Sequence, residues 1–258
     1  MRTVAATRYV TPLREGGSLP AVIEADDDGM YVLKFRGAGQ GAKALVAELV
    51  AGGLARTLGL PIPEIVLVEL DPDLARTEPD PEIQHLIRAS AGLNLALDYL
   101  PGALNFDPAV DRPDAALASE LVWFDAFVGN VDRTARNTNL LMWHRRLYLI
   151  DHGATLTFHH DWAKAANADA AAFPRIAEHV LLPLATRLRE ADAALAARLD
   201  GAQVERIVAA IPEAWLAGET FFDDVDAHRR AYVDHMHRRL AQREIFVEEA
   251  IRAQSVHV

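Results

Sequence analysis

The chain has 258 residues, of which 51% are hydrophobic and 24% charged, a balance that excludes disordered, collagen-like and coiled-coil chains. Lys and Arg number 26 against 37 Asp and Glu, and the formal net charge of −11 disfavours a general binder of nucleic acid or anionic membrane. There is no cysteine, which rules out disulfides, thiolate metal sites and cysteine nucleophiles.

In chain order, residues 1–10 lack the apolar stretch of a signal peptide. No apolar run reaches 18 residues, so no spanning helix is expected and the cytoplasm is the default location. Glu15, Gly16, Gly17 and Ser18 form a turn signal. Residues 19–25 and 30–36 read as a hairpin about the Asp26-Asp27-Asp28-Gly29 cluster. Residues 42–58 read as a helix, with Leu45, Val46, Leu49, Val50, Leu54 and Leu58 at three-to-four spacing, Gly59 as its stop and Pro61 beyond. Residues 65–70 form a further strand, 71–81 an acidic, Pro-rich surface loop, and 93–100 an extended segment closed by Pro101-Gly102. Residues 114–128 read as a helix whose Trp123, Phe124 and Phe127 belong to the core. A small hairpin follows at 140–143 and 147–150. Beyond about residue 174 the pattern is helical, clearest at 187–199 and 227–251. Strands followed by helices predict an α+β fold in two lobes, a β-rich lobe at 1–100 with one main helix and a helical lobe at 101–258.

The densest polar block runs from residue 124 to 153. Asn137 stands just before the first strand of the small hairpin and Asp151 just after the second, so the hairpin brings them together. Oxygen ligands converging in this way suit a hard cation such as Mg²⁺. Asp132 stands nearby, placed to orient a hydroxyl nucleophile, with Arg133 and Arg136 to offset negative charge. Phosphoryl transfer also needs a lysine on the phosphates. Lys34 supplies one, in a strand apolar on both faces.

This layout resembles a HipA-like kinase domain. The resemblance is carried by Asn130 to Asn137 (N-x-D-R-x-x-x-N), by Ile150-Asp151-His152-Gly153, and by the Leu58-Gly59-Leu60-Pro61 turn. It implies a two-lobed protein-kinase-like fold, with ATP and Mg²⁺ in the cleft between the lobes. It also implies transfer of the γ-phosphoryl group to a hydroxyl acceptor, a protein Ser or Thr or a small molecule. By the resemblance Asp132 is the catalytic aspartate, Asn137 and Asp151 hold the metal, and Lys34 holds phosphate with Glu48 as its partner. Asp98, Tyr99 and Leu100 form the hinge that meets adenine, and Gly16, Gly17 and Ser18 cover the phosphates. Three positions depart from the pattern. Asn130-Val131 replaces the His-Arg before the aspartate, His152 stands for the Phe of Asp-Phe-Gly, and Thr134 stands where the family archetype has His.

On a helical wheel Glu48 falls off the apolar arc, a place that suits a solvated carboxylate as well as an ion-pair partner. His144, His152, His159 and His160 fit no helical metal spacing and read as loop residues. His235 and His237 read as surface, and Arg229, Arg230, Arg238 and Arg239 as a solvated face. An alternative function keeps the fold, as a nucleotide-binding pseudokinase that regulates a partner without turnover. A third is a helical interaction module that binds no nucleotide.

Overall fold

Five strands close on themselves in the first hundred residues. They are β1 (Thr3–Pro12), β2 (Ala21–Ala25), β3 (Met30–Lys34), β4 (Ile65–Leu70) and β5 (Gly92–Asp98), in the spatial order β1-β2-β3-β5-β4. A parallel pairing of Thr3 with Leu67 joins the first strand to the last. A computed structural model describes residues 1–13, 19–165 and 170–256; Gly16, Gly17 and Ser18 lie outside the described residues.

The predicted hairpin is β2–β3, with Ile23 opposite Tyr31 and Ala21 opposite Leu33. Alternation puts Tyr31 and Leu33 inside the barrel with Ile23, Val66, Val68 and Ala96. Val32 and Lys34 therefore share the opposite face. β1 has no counterpart in the sequence reading. Its inward residues Val4 and Ala6 are small, and register shifts at Ala6/Arg8 and Tyr9/Thr11 break the period-2 pattern. The acidic 71–81 loop contains a 3₁₀ turn at Pro72–Thr77 and leads into α2 (Pro81–Ala89). Asp80 caps α2, and Ile83 and Ile87 pack against the barrel.

Helix α1 (Ala42–Leu58) follows β3 and ends at Gly59, whose φ of 78° is the left-handed cap that glycine adopts at least cost. Gly52 and Gly53 let α1 approach both neighbours. A Cβ on Gly52 would meet Ile65 at 2.3 Å, and one on Gly53 would meet Ile207 at 2.8 Å. α1 is thus wedged between the barrel and the helical part.

A short strand β6 (Leu104–Asn105) precedes α3 (Ala115–Val128), which Asp114 caps. β7 (Leu140–Trp143) and β8 (Arg146–Leu149) form the small hairpin and pair with β6 in the order β6-β7-β8. Its two-residue turn places His144 and Arg145 at φ 47° and 64°. The remaining helices are α4 (Trp162–Ala165), α5 (Leu188–Arg198), α6 (Gly201–Ala209), α7 (Glu213–Leu216), α8 (Val225–Ala241) and α9 (Glu244–Ser255). α3 runs through the middle of the larger core, where Trp123, Phe124 and Phe127 are fully buried. Trp123 stacks on Phe127 at 5.3 Å and meets Phe246 of α9 edge-on at 5.6 Å.

Three expectations change. The predicted helix at 227–251 is two helices, α8 and α9, which turn at Gln242–Arg243 so that Phe246 and Val247 reach the core. No glycine or proline marks that turn. Arg239 does not belong to a solvated face. It is 5% exposed and donates to the carbonyls of Ala126 (2.7 Å) and Phe127 (2.8 Å), groups that the end of α3 leaves without helical partners. His152, His159 and His235 are buried rather than solvated, as is His228, although His152 does lie in a loop.

Candidate active site

The alternation of β3 aims Lys34 into the space between the barrel and the β7–β8 hairpin. Its ammonium is 12% exposed and donates to Asp151 Oδ1 at 2.6 Å and to Glu48 Oε1. Glu48, 2% exposed, reaches it from α1. The Glu48 carboxylate also accepts from the backbone N–H of His152, at 2.9 Å to Oε1 and 2.6 Å to Oε2. One carboxylate thus joins α1, β3 and the Asp151-His152-Gly153 run. Burial pushes the Glu48 carboxyl up, but Lys34 and His152 outweigh it and hold its pKa at about 2. Burial likewise pulls Lys34 down, and Glu48 and Asp151 more than restore it, leaving it above its ordinary value. Lys34 and Glu48 are therefore both charged at neutral pH.

Asp151 sits at φ 56°, a left-handed conformation that Asp tolerates better than most residues. Its Oδ1 is taken by Lys34; Oδ2 has no partner among the described residues. Across the hairpin, Asn137 Nδ2 donates to Asp132 Oδ2 at 2.9 Å, which leaves Asn137 Oδ1 uncommitted among the described residues. Asn139 Nδ2 donates to the Asp132 carbonyl at 3.1 Å and to its Oδ2 at 3.3 Å. The other Asp132 carboxyl oxygen is free among the described residues.

Lys34, Asn137, Asn139 and Asp151 line one cleft of about 1140 Å³. Val32, Leu97, Leu140 and Ile150 give it apolar walls, and Asp98, Tyr99 and Leu100 border it. The N–H groups of Asp98 and Tyr99 donate to Glu64 (2.8 Å) and Met30 (3.0 Å). The Leu100 N–H carries no hydrogen bond among the described residues. Asp132 does not line the cleft itself; it sits beside the Asn137 that does. Glu48 lies behind Lys34.

A buried network beneath the loop escaped the sequence reading. Asp125 of α3 is fully buried and accepts from Asn130 Nδ2 (2.9 Å), Arg133 Nε and His179 Nε2 (2.9 Å). Asn130 Oδ1 in turn accepts from the Asp132 N–H at 3.0 Å. Leu181 N–H donates to His179 Nδ1, so the proton on this ring is the one on Nε2, given to Asp125. Burial raises the Asp125 carboxyl, but Arg133 and His179 override it and keep it far below the usual carboxylate range. Arg133 also donates to the carbonyls of Asn139 and Ile150, at both ends of the hairpin. Arg133 therefore braces the loop and does not offset charge in the cleft. Asn139, Asp125 and His179 were legible only as polar residues of no stated role. His152, in the place of Phe, buries its ring edge-on to Phe124 at 5.9 Å, with no hydrogen bond to either ring nitrogen among the described residues.

A family model described as HipA-like kinase matches residues 7–247. No curated protein matches the sequence. Among solved structures the chain is similar to the Helicobacter pylori proinflammatory kinase CtkA, with a TM-score of 0.54, 13% identity and 99% of each chain covered. It is also similar to the Golgi casein kinase with Mn/ADP bound, with a TM-score of 0.54 and 12% identity, over 96% of this chain and 74% of that one. At such identities these likenesses establish the fold, a two-lobed kinase-like α+β architecture. The family match extends from the first strand of the barrel into α9, and the chain belongs to the HipA-like kinase family.

Proposed function

We propose that this protein is an ATP- and Mg²⁺-dependent phosphotransferase that moves the γ-phosphoryl group to a hydroxyl, on a protein Ser or Thr. The observation that carries the reading is the meeting of Lys34, Glu48 and Asp151 with the Asn137–Asp132 pair at one cleft, from segments up to 117 residues apart. The donor set fits a hard cation, because Asp151 Oδ2 and Asn137 Oδ1 are oxygens with no protein partner among the described residues. Mg²⁺ held there would neutralise phosphate charge. Lys34, kept charged by its two carboxylates, meets phosphate oxygens. The Leu100 N–H is free to meet the adenine edge, and Val32, Leu97 and Leu140 enclose its faces. The free oxygen of Asp132 accepts the acceptor hydroxyl's hydrogen bond and aligns it. The new P–O bond forms as the bond to the β,γ-bridging oxygen breaks, and the hydroxyl proton passes to Asp132 or to water.

Mg²⁺-dependent ATP consumption and autophosphorylation of wild type and Asp132→Ala test this. The variant should lose roughly 10²–10⁴-fold in turnover while still gaining thermal stability from Mg·ATP. Nucleotide binding with no Asp132-dependent turnover, across a broad acceptor screen, would make the protein a nucleotide-binding regulator instead.

A further inference from the structure

Most cations near the cleft are already committed. Lys34 is held by Glu48 and Asp151. Arg133 is buried against Asp125 and two carbonyls. Lys43 is bonded to the His159 carbonyl at 2.7 Å and to Glu219 at 3.1 Å. Arg175 reaches the Val131 carbonyl at 3.3 Å and Glu178 at 3.0 Å. Arg136 differs. It is exposed, it lines the cleft beside Asn137, and its guanidinium makes no hydrogen bond or ion pair among the described residues.

Its backbone, by contrast, is anchored. The N–H groups of Arg136 and Asn137 both donate to Thr134 Oγ1 at 3.3 Å, and the Thr134 N–H donates to the Asn137 carbonyl at 2.9 Å. A fixed turn therefore presents a free side chain between Asp132 and Asn137. The local charge calls for such a group. Lys34 is outnumbered by Glu48 and Asp151, and Asp132 adds a further negative charge close by. A terminal phosphoryl group arriving here meets carboxylates on several sides. The planar guanidinium fork matches two phosphoryl oxygens at once.

We propose that Arg136 is the residue that binds the γ-phosphoryl group during transfer, an inference that rests on the phosphotransferase reading above. The Arg136 guanidinium has no protein partner among the described residues, so substituting the side chain leaves the fold intact, and its role shows only with a ligand that carries a third phosphate.

The test compares Mg²⁺-dependent affinities for ADP and for a non-hydrolysable ATP analogue in wild type, Arg136→Ala and Arg136→Lys, with melting temperatures as a control for folding. Arg136→Ala should bind ADP within about twofold of wild type and bind the analogue roughly tenfold more weakly. Arg136→Lys should recover part of that loss. ATP hydrolysis with water as acceptor should fall with it. If both affinities stay at wild-type values and only the KM for a protein acceptor rises, Arg136 reads the acceptor and the proposal is overturned. If both nucleotides weaken equally, it is also overturned. A wild-type protein that binds neither nucleotide removes the phosphotransferase reading itself, and this proposal with it.

Discussion

The Lys34 ammonium and the Glu48 carboxylate are each almost cut off from water, so each depends on the other for its charge. Glu48→Ala leaves the ammonium with Asp151 as its one carboxylate partner and strips the acceptor from the His152 N–H. Removing one member of a buried pair costs about 3–5 kcal/mol, a fall in Tm of roughly 6–20 °C for a chain of this size. Lys34→Met combined with Glu48→Leu removes both charges, and should cost less than the two single substitutions added together. Thermal unfolding of the four proteins checks this; additive losses would mean that the pair is not coupled. The same pair has a pH signature. The folded pKa of Glu48, about 2, lies below its ordinary 4.5, so the folded state binds fewer protons than the unfolded one. The stabilisation is complete above about pH 4.5 and is lost as the pH falls towards 2.

Among the elements, α1 decides whether that pair forms, because it carries Glu48 and is held from both sides. Gly53 packs directly on Ile207 of α6, where any added side chain has no room. Gly53→Leu must therefore push α1 off α6 or displace Ile207, at about 1–3 kcal/mol for an overpacked contact. The shift moves Glu48 relative to Lys34, so Mg·ATP turnover should fall by more than nucleotide affinity does. Kinetics and thermal unfolding on the same variant separate the two effects, and unchanged turnover in a folded protein would show that α1 adapts without moving Glu48. The wedging of α1 also explains what the sequence can and cannot disclose. A helical wheel supposes one wet face, yet α1 is buried on nearly all sides, so the position of Glu48 off the apolar arc does not reveal that it is inside. That Asn137 and Asp151 line one cleft is legible because a short hairpin brings its two ends together locally. The Asp125–His179 contact spans 54 residues and has no local signature. α2 is legible in principle, from the Asp80-Pro81 start and the spacing of Ile83, Leu86 and Ile87. β1 is not, because its small inward residues and its irregular register erase the alternation.

Across the whole molecule, the histidines buried in the helical part set how stability responds to mild acid. His159 is fully buried, and its Nδ1 lies 3.0 Å from the Tyr232 hydroxyl. Burial, with His160, Lys43 and His228 nearby, drives its pKa down to about 2. Burial also lowers His228, which stacks on Phe222 at 4.6 Å, and the more exposed His160. His159 stays neutral when folded and the other two bind a proton less readily folded than unfolded, whereas all three take one up near pH 6.5 when unfolded, so the unfolded state gains more protons as the pH falls. Stability is therefore full above about pH 7 and is lost progressively below it. The carboxylates held below their ordinary values, Glu48, Glu64, Glu219 and Asp125 among them, add to the loss only under about pH 4.5. Between pH 7.5 and 5.5 the histidines thus act alone, and His159 by itself accounts for about 1.4 kcal/mol. The Tm should drop across this interval in wild type. In His159→Gln, which cannot titrate there, the drop should be smaller by several degrees, even though the variant starts from a lower Tm. Equal drops in the two proteins would show that His159 does not carry the acid sensitivity, whereas a flat wild-type profile would mean that the folded core admits a proton as readily as the unfolded chain.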